Sequence, residues 1–286
     1  MSAFDNLPEI DGALRHMYGR LGAGLVNSFS SDLQLQAFSS ALQSDPVIAT
    51  QTLAKAIAAH FRLRVGTIAV TFEPGLPAPG RIELSRSRDF FIEIAEMHRT
   101  KPRAISAILA HEISHLFLFE HKVEMEPRPL NEILTDTAAV FLGCGVAILN
   151  GAEELERWLG HNQLERQLRH FGYLTLPEFG YIQAKRDVFH GRDSTAAFES
   201  GPPLRGYVAG KLILQRERGG SPVSRPSVLS RVGRAIRAMG TSPGTGDNPI
   251  VFRCLNCSQP LRVSGGRGEE VTIRCPLCQR VERCYF

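Results

Sequence analysis

The sequence predicts an α+β fold in which a helix-rich domain with a small sheet is followed by a small β module. Three observations carry this prediction. Short β-branched and apolar runs lie between residues 67 and 95, apolar residues recur every three or four positions after residue 102, and five of the six cysteines follow residue 253. The predicted domains are residues 1–215, a basic linker rich in Pro, Gly and Arg at 216–249, and the C-terminal module at 250–286.

The first elements in chain order are a helical stretch and then strands. Apolar residues at helical spacing, such as Leu53 and Ile57, predict helix from about Leu33 to Leu63. After Gly66 the pattern changes to β-branched and alternating residues, with a proline-rich turn between the first two runs. The predicted strands are Thr67–Phe72, Arg81–Leu84 and Phe90–Ala95.

Long helices are predicted for the rest of the large domain. Pro102 suits the first turn of a helix whose apolar stripe runs to Phe117. The pattern Thr175-Leu-Pro-Glu178 is typical of a capping box that begins another helix. The further predicted helices are about Pro129 to Leu149, Ala152 to Phe171 and Leu176 to His190.

Charge separates the C-terminal part from the rest of the chain. Residues 1–200 contain 19 Lys and Arg against 24 Asp and Glu, whereas residues 201–286 contain 14 against 5. A local excess of positive charge favours nucleic acid, an acidic partner or a membrane surface. We therefore expect any such partner to bind through the C-terminal region.

The sequence favours a cytoplasmic protein without a membrane span. The best apolar run, residues 137–149, is shorter than the roughly 18 to 20 residues that cross a bilayer. The first residues include Asp5, Glu9 and Asp11 and lack the cationic start and apolar centre of a secretory signal.

A metal-binding motif lies in the predicted helix after Pro102. His111, Glu112 and His115 form the pattern HExxH. Residues four apart project from one helix face, so both imidazoles can bind one zinc ion, while Glu112 is the candidate general base. A core helix that merely contains two histidines is the alternative. It is disfavoured because the apolar flanking turns would bury the pair, which costs free energy unless something coordinates it.

Two residues compete for the third ligand position. His121 follows His111 at the spacing of the motif HExxHxxGxxH, but that motif needs a glycine where this chain has Leu118. The run around Leu118 predicts that the helix continues, which turns His121 away and makes it a residue of the helix end. Glu132 is the second candidate, within Asn131-Glu-Ile-Leu-Thr-Asp136.

With this second motif the chain resembles the gluzincins, the thermolysin-like branch of zinc peptidases. The resemblance covers about Pro102 to Ala147 and implies a zincin-like catalytic domain with Glu132 as the third zinc ligand. It also implies that Asp136 accepts a hydrogen bond from His111, with Thr135 in the place of serine. Helical spacing agrees, since Glu132 and Asp136 share a face and a ligating imidazole needs a partner for its other N–H.

Two further features of a zincin-like domain can be sought in the sequence. The candidates for a residue that stabilises the oxyanion are Tyr173, Tyr181, His161 and His190, and the sequence does not choose among them. By analogy, a sheet edge beside the active-site helix would pair with an extended peptide, and Phe90–Ala95 is the candidate edge.

The C-terminal cysteines predict a second, structural zinc site. Cys254 and Cys257 form one Cys-x-x-Cys pair, Cys275 and Cys278 form another, and 17 residues separate the pairs. Strands at 260–263 and 270–273 between the pairs predict a hairpin, and the module resembles a zinc ribbon, which needs its metal to fold. The two cysteines left over, Cys144 and Cys284, are predicted to be free or buried thiols.

Three functions are compatible with these patterns. The first is a zinc metallopeptidase that hydrolyses a protein or peptide with one catalytic zinc ion, beside one structural zinc ion. The second is a nucleic-acid-associated protein. Its proteolytic version is similar to the SprT-like proteins, which join HExxH to a C-terminal zinc ribbon but use a third histidine. The third is a partner-binding scaffold that keeps its metal for stability.

Overall fold

The structure is a computed structural model that describes most of the chain. The C-terminal region is described only in its strands. The chain divides into two units, Met1–Glu217 and Arg218–Phe286, which are considered separately. The described residues are 4–33, 38–84, 88–160, 163–198, 201–219, 250–253, 260–263, 270–274 and 281–285.

Helices dominate the first unit, and several begin at caps that the sequence supplies. Asp45 accepts hydrogen bonds from the N–H groups of Val47 and Ile48. Thr175 and Glu178 form the predicted capping box. The helices are α1 (Leu7–Leu21), α2 (Ala23–Asn27), α3 (Phe38–Ser44), α4 (Pro46–His60), α5 (Pro102–Glu120), α6 (Arg128–Ala139), α7 (Gly145–Asn150), α8 (Leu176–His190) and α9 (Pro202–Gly219), with short 3-10 turns at Glu96–His98 and Thr195–Ala197.

Most of the predicted helices are confirmed. The stretch predicted from Leu33 to Leu63 contains α3 and α4, which are separated by the cap Asp45. The helix predicted from about Pro129 to Leu149 is present but interrupted, because a π-helical segment with a φ of 114° at Gly143 separates α6 from α7. Helices α5 and α8 match their predicted positions. The prediction of a mixed α+β fold is therefore confirmed.

The small sheet has the order β1-β3-β2 and lies beside α5. It consists of β1 (Ile68–Glu73), β2 (Gly80–Ile82) and β3 (Phe90–Ala95). Strand β3 is parallel to β1 and antiparallel to β2. The prediction that Phe90–Ala95 forms the sheet edge is therefore wrong. Strand β3 pairs with a neighbour on each side and is the central strand, and its alternate residues are buried. The edge strand on the α5 side is β2.

The helix predicted from Ala152 to Phe171 is also wrong. This segment forms an antiparallel hairpin of β4 (Glu153–Gly160) and β5 (Gln163–Arg169). The spacing of four between Leu164 and Leu168 fits a helical turn and two steps of strand alternation equally well. Gly160, a helix breaker, is the last residue of β4 and was the signal against a helix.

The most apolar segment of the first unit is Arg128–Asn150, which contains α6 and α7. Its 23 residues satisfy the length and composition of a membrane-spanning helix, with a mean hydropathy of 1.7 over the most apolar window. Within the protein, however, 94% of that window is buried. Packing in the core accounts for its apolar character, as in the central helices of many globular domains.

The described strands of the second unit form two antiparallel pairs. One pair is β6 (Ile250–Arg253) with β7 (Pro260–Val263), and the other is β8 (Glu270–Arg274) with β9 (Val281–Tyr285). The predicted strands exist, but the hairpin predicted between β7 and β8 is wrong, because each pairs with an outer strand instead. Each Cys-x-x-Cys pair occurs in the segment that connects the two strands of one pair.

Candidate metal centre

Helix α5 brings the two histidines of HExxH together. His111 and His115 lie one turn apart, with their Nε2 atoms 3.1 Å from each other. Most of the helix around them is buried, including Ala110, Ile113 and Ser114. Both imidazoles are therefore held at a partly buried face of α5 and converge on one point.

Helix α6 supplies Glu132 to the same point. Its Oε2 atom lies 3.1 Å from Nε2 of His115 and 3.5 Å from Nε2 of His111. Three donors bound to one zinc ion at about 2.0–2.2 Å in tetrahedral geometry lie roughly 3.3 Å apart. The three atoms form a triangle of this size. We refer to His111, His115 and Glu132 as the His–His–Glu cluster, which the structure brings together as predicted and which has the composition of a metal site.

The predicted contact between Asp136 and His111 is present. The Nδ1–H group of His111 donates to Oδ1 of Asp136 over 2.8 Å. Asp136 is 1% exposed and its Oδ2 also accepts the backbone N–H groups of Tyr173 and Leu174, at 2.6 and 3.0 Å. A Cβ atom on Gly172, whose φ is +98°, would lie 2.5 Å from this carboxylate. Asp136 thus holds both the imidazole and the loop before α8.

Thr135 orients the second imidazole, a role that sequence reasoning missed. Its Oγ1 donates to the carbonyl oxygen of Asn131 over 2.9 Å and lies 3.1 Å from Nδ1 of His115. With that hydroxyl proton committed, Oγ1 accepts the Nδ1–H of His115. With Nδ1–H committed on each ring, Nε2 is the atom that both histidines direct toward Glu132. A metal ion would bind at this point in place of a proton. The signal was available, since Thr135 follows Glu132 by three residues on the same helix.

The electrostatics of the cluster also favour a cation. Burial by itself lowers the pKa of the His111 imidazole, but hydrogen bonds to Asp136 and Glu132 outweigh it and raise the pKa to about 10. Burial by itself raises the pKa of Glu132, but its hydrogen bonds with His111 and His115 hold the pKa well below its usual range. The position among these groups therefore stabilises positive charge, whether a proton or a metal ion carries it.

Glu112 lies beside the cluster and contacts the edge strand. Its side chain is buried, and this burial raises the pKa of its carboxyl group above the ordinary value. The backbone N–H of Ile82 donates to the Glu112 carboxylate. A Cβ atom on Gly80 would lie 2.4 Å from Ile108 and 3.0 Å from Oε1 of Glu112. Glycine at this position lets β2 approach α5 closely enough to make the contact.

A cavity of about 490 Å³ opens over the cluster. Strand β2 forms one wall, and the loop that Asp136 holds forms another. The pocket therefore exposes the cluster and Glu112 to a ligand between a strand edge and a loop. Its lining consists of Ala78, Pro79, Gly80, Arg81, Ile82, Leu84, Ile108, His111, Glu112, His115, Arg128, Glu132, His170, Phe171, Gly172 and Tyr173.

The candidates for oxyanion stabilisation are placed differently. Tyr173 lines the pocket and its ring stacks on that of His111, with 6.5 Å between the ring centroids. Tyr181 is buried and donates to Glu217, and His190 packs against Phe189 at the end of α8. Among the candidates in the described part of the chain, only Tyr173 lies at the site. His161 lies outside the described residues.

Two side chains outside the cluster behave as the sequence predicted. The Nδ1–H of His121 donates to the carbonyl oxygen of Phe117 over 2.9 Å at the end of α5, so His121 is a residue of the helix end. Cys144 is a buried free thiol, and burial raises its pKa to about 12.

The predicted ribbon ligands are outside the part of the chain that the structure describes. These residues are Cys254, Cys257, Cys275 and Cys278, so their zinc site stays a prediction. Cys284 belongs to β9.

Comparison with known proteins identifies no family. No protein-family model matches the chain, and neither curated proteins nor solved structures give a match.

Proposed function

We propose that this protein is a zinc-dependent metallopeptidase with a zincin-like catalytic domain. The observation that carries the proposal is the His–His–Glu cluster, in which three ligand atoms form a triangle with sides of 3.1 to 3.5 Å. Hydrogen bonds from both imidazoles to Asp136 and Thr135 fix the tautomers that ligation needs. Two nitrogen donors and one carboxylate leave a fourth position for water or substrate, as in catalytic zinc sites.

The roles of the residues follow from their positions. His111, His115 and Glu132 would hold the zinc ion, which supplies Lewis-acid polarisation of a carbonyl group and lowers the pKa of an attacking water. Glu112 would accept a proton from that water and pass it to the leaving amine. Its raised pKa suits this role, because a base that must also donate a proton works best with a pKa near the working pH.

Strand β2 is the proposed platform for the peptide main chain. The N–H of Glu83 donates to the carbonyl of Phe91 and that of Ala95 to the carbonyl of Pro79, so alternate residues of this strand bond to β3. In an antiparallel ladder the intervening residues, Gly80 and Ile82, direct their backbone groups away from β3. The edge that they form lines the pocket. Since the N–H of Ile82 donates to Glu112, an extended peptide would pair beside Glu112 through the other backbone groups of this edge.

Tyr173 is the proposed hydrogen-bond donor to the oxyanion. Desolvation at the pocket raises the pKa of its hydroxyl group above the ordinary value, so the group is protonated and able to donate at neutral pH. The backbone N–H of Tyr173 is anchored on Asp136, which also holds His111. One buried carboxylate therefore couples the position of this donor to that of a ligand.

The Glu112→Gln variant tests the peptidase proposal. It keeps the shape of the side chain and removes the base, so we expect unchanged zinc content and at least a roughly 100-fold loss of peptide hydrolysis. Glu120→Gln is the matched control, because Glu120 is an exposed residue at the end of the same helix. Full hydrolysis by Glu112→Gln, or none by the zinc-loaded wild type on any peptide library, would reject the proposal.

A nucleic-acid-associated role is the second candidate, supported by the charge of the C-terminal region. That region, residues 201–286, contains 14 basic against 5 acidic residues. In this version, which is similar to the SprT-like proteins, the predicted zinc ribbon would bring the catalytic domain to its substrate.

Salt dependence tests this second role. The full chain should shift DNA or RNA in a gel at low salt and lose affinity steeply as salt increases, because phosphate contacts release counterions. A chain ending at Glu217 should bind neither. Equal binding by the two forms would argue against a role of the C-terminal region.

A further inference from the structure

Arg128 is a cation of the pocket that makes few hydrogen bonds to the described residues. It is the first residue of α6, its side chain is 86% exposed, and it lines the pocket. Its Nε lies 3.5 Å from Oε1 of Glu132, at the limit of a hydrogen bond. The guanidinium group has five N–H donors, and the only hydrogen bond it makes to a described residue is this one, so most of the donors are available to a ligand as far as the described part of the chain is concerned.

The second arginine of the pocket is engaged elsewhere. Arg81 forms an ion pair with Glu93 across the β2–β3 ladder, with its Nε 2.7 Å from Oε2 of Glu93. The ion pair therefore uses the Nε and Nη2 donors of Arg81, which a substrate carboxylate would otherwise bind. Arg128 and Arg81 therefore differ in pairing although both are exposed arginines at the same pocket.

The surroundings of Arg128 place its charge close to the proposed reaction. Its charge lowers the pKa of the Tyr173 hydroxyl, against the larger effect of desolvation, and it contacts the carboxylate of Glu132. His111, His115 and Glu132 would hold a divalent cation, and the Glu132 carboxylate would then be a ligand of that ion. Among the described residues, Arg128 then has no counterion of its own beside the open position of the site.

We propose that Arg128 is a specificity-determining residue that binds a carboxylate group of the peptide substrate close to the scissile bond. The inference rests on the proposed peptidase function. An arginine fork binds a carboxylate through two parallel hydrogen bonds, which gives direction as well as affinity. The carboxylate is either an Asp or Glu side chain or the free C-terminus of the peptide.

Peptide binding to the zinc-loaded Glu112→Gln protein tests the inference without turnover. Fluorescence anisotropy measures the dissociation constants of two sets of labelled peptides. In the first set, a neutral peptide has either a free or an amidated C-terminus. In the second set, Gln is replaced by Glu at each position in turn on either side of the bond that the wild type cleaves. We expect one carboxylate to tighten binding by about five- to tenfold, a modest factor because the arginine is exposed. A gain from Glu identifies a side chain, and a gain from the free C-terminus identifies the chain end.

Variants of the two arginines decide which residue is responsible. The preference is the ratio of the dissociation constants of the neutral peptide and the carboxylate-bearing peptide. In the Glu112→Gln background, Arg128→Gln should reduce this ratio to about one, and Arg128→Lys should retain part of the preference. Arg81→Gln should leave the ratio unchanged. Zinc content should equal that of the parent in all three, which excludes an effect through Glu132. A preference that survives Arg128→Gln, or no preference for any carboxylate, would overturn the inference.

Failure of the inference is distinguishable from failure of the peptidase proposal. If the wild-type protein cleaves the neutral and acidic peptides equally, and Glu112→Gln abolishes cleavage, then only the role of Arg128 fails. If the peptides are neither bound nor cleaved, the peptidase function fails and the inference fails with it. The preference should also appear in kcat/KM of the wild type and should decrease as salt increases.

Discussion

At the scale of single residues, the buried carboxylate of Asp136 is the most informative group. It accepts hydrogen bonds from His111, Tyr173 and Leu174. We predict that Asp136→Asn weakens zinc binding by roughly 10- to 100-fold, because the amide removes the charge that supports the ligating imidazole. A competition titration with a zinc chelator measures the change.

A carboxylate away from the pocket provides the control. Asp193→Asn should not change zinc affinity, since Asp193 is paired with Lys211 and Thr195. An unchanged titration for Asp136→Asn would show that Asp136 does not support a metal ligand.

The pKa of His111 leads to a prediction about pH. Protons and zinc compete for Nε2 of this imidazole, and its pKa is raised to about 10 in the metal-free protein. Binding zinc therefore displaces a proton at every pH below about 10, so apparent affinity increases with pH. We expect a roughly tenfold tighter dissociation constant for each unit between about pH 6 and 9, measured with buffered zinc. A constant affinity over this range would contradict the protonation state assigned to His111.

The residues of the cluster were predictable because each lies within a short motif on a helix. The spacing of four placed His111 and His115 on one face, and the same spacing related Glu132 to Asp136. Tyr173 was only one of several candidates. Its position depends on a hydrogen bond to Asp136, 37 residues earlier in the chain, and local periodicity contains no information about such a contact.

At the scale of elements, the close packing of β2 against α5 positions one wall of the pocket. Gly80 is the point of closest contact, beside Ile108 and Glu112. We predict that Gly80→Ala destabilises the protein by about 1–3 kcal/mol, because the added methyl group overpacks the contact. Peptide hydrolysis should fall as well, since β2 and Glu112 would move apart. Urea unfolding and steady-state kinetics measure the two effects.

A glycine in an open position is the control for Gly80. Gly24 lies in α2, and a Cβ atom added to it would have no heavy atom of the described residues within 4 Å. Gly24→Ala should be neutral or slightly stabilising, because alanine has the higher helix propensity. If both variants behave alike, the close approach of β2 to α5 is not a determinant of the site.

Arg186 on α8 joins three parts of the first unit. It is fully buried and donates to the carbonyl oxygens of Phe141, Phe29 and Ser31, and it pairs with Asp32 at 3.0 Å. We predict that Arg186→Met lowers the free energy of unfolding by about 3–5 kcal/mol, because it leaves the buried carbonyl oxygens without this donor and removes one of the two arginines that pair with Asp32. Urea denaturation provides the measurement.

The neighbouring arginine gives the matched control. Arg192 pairs with the same Asp32 at 3.4 Å but is partly exposed. Arg192→Met should change stability by less than about 1 kcal/mol. A similar loss for both variants would mean that Asp32, rather than the buried carbonyl groups, accounts for the effect.

Secondary structure was predictable where the apolar residues followed one periodicity. The prediction failed where the same spacing fitted both a helix and a strand. Helices α5 and α8 have clear caps or apolar stripes and matched their predictions. The β4–β5 hairpin did not, because leucines four apart fit both a helix and a strand. The strand order β1-β3-β2 was also not predictable, because long-range packing, and not the residues of the strand itself, determines which strand is central.

At the scale of the whole molecule, the two units differ in charge and in their expected metal chemistry. The larger unit, Met1–Glu217, contains the His–His–Glu cluster, and the smaller unit, Arg218–Phe286, contains the predicted ribbon cysteines. We expect one zinc ion in each. Their sites use different donors, imidazole and carboxylate in one and thiolate in the other, so a chelator should remove the two ions at different rates.

The most direct test of whether the His–His–Glu cluster holds a metal ion is the zinc content per chain. Plasma mass spectrometry measures it for the wild type and for matched histidine variants. We predict two zinc ions in the wild type and one in His115→Ala, because the cluster would lose a ligand. His121→Ala should keep both, since His121 bonds to the end of α5. If His115→Ala retains the zinc content of the wild type, the cluster does not hold the metal, and the proposed hydrolase mechanism is contradicted.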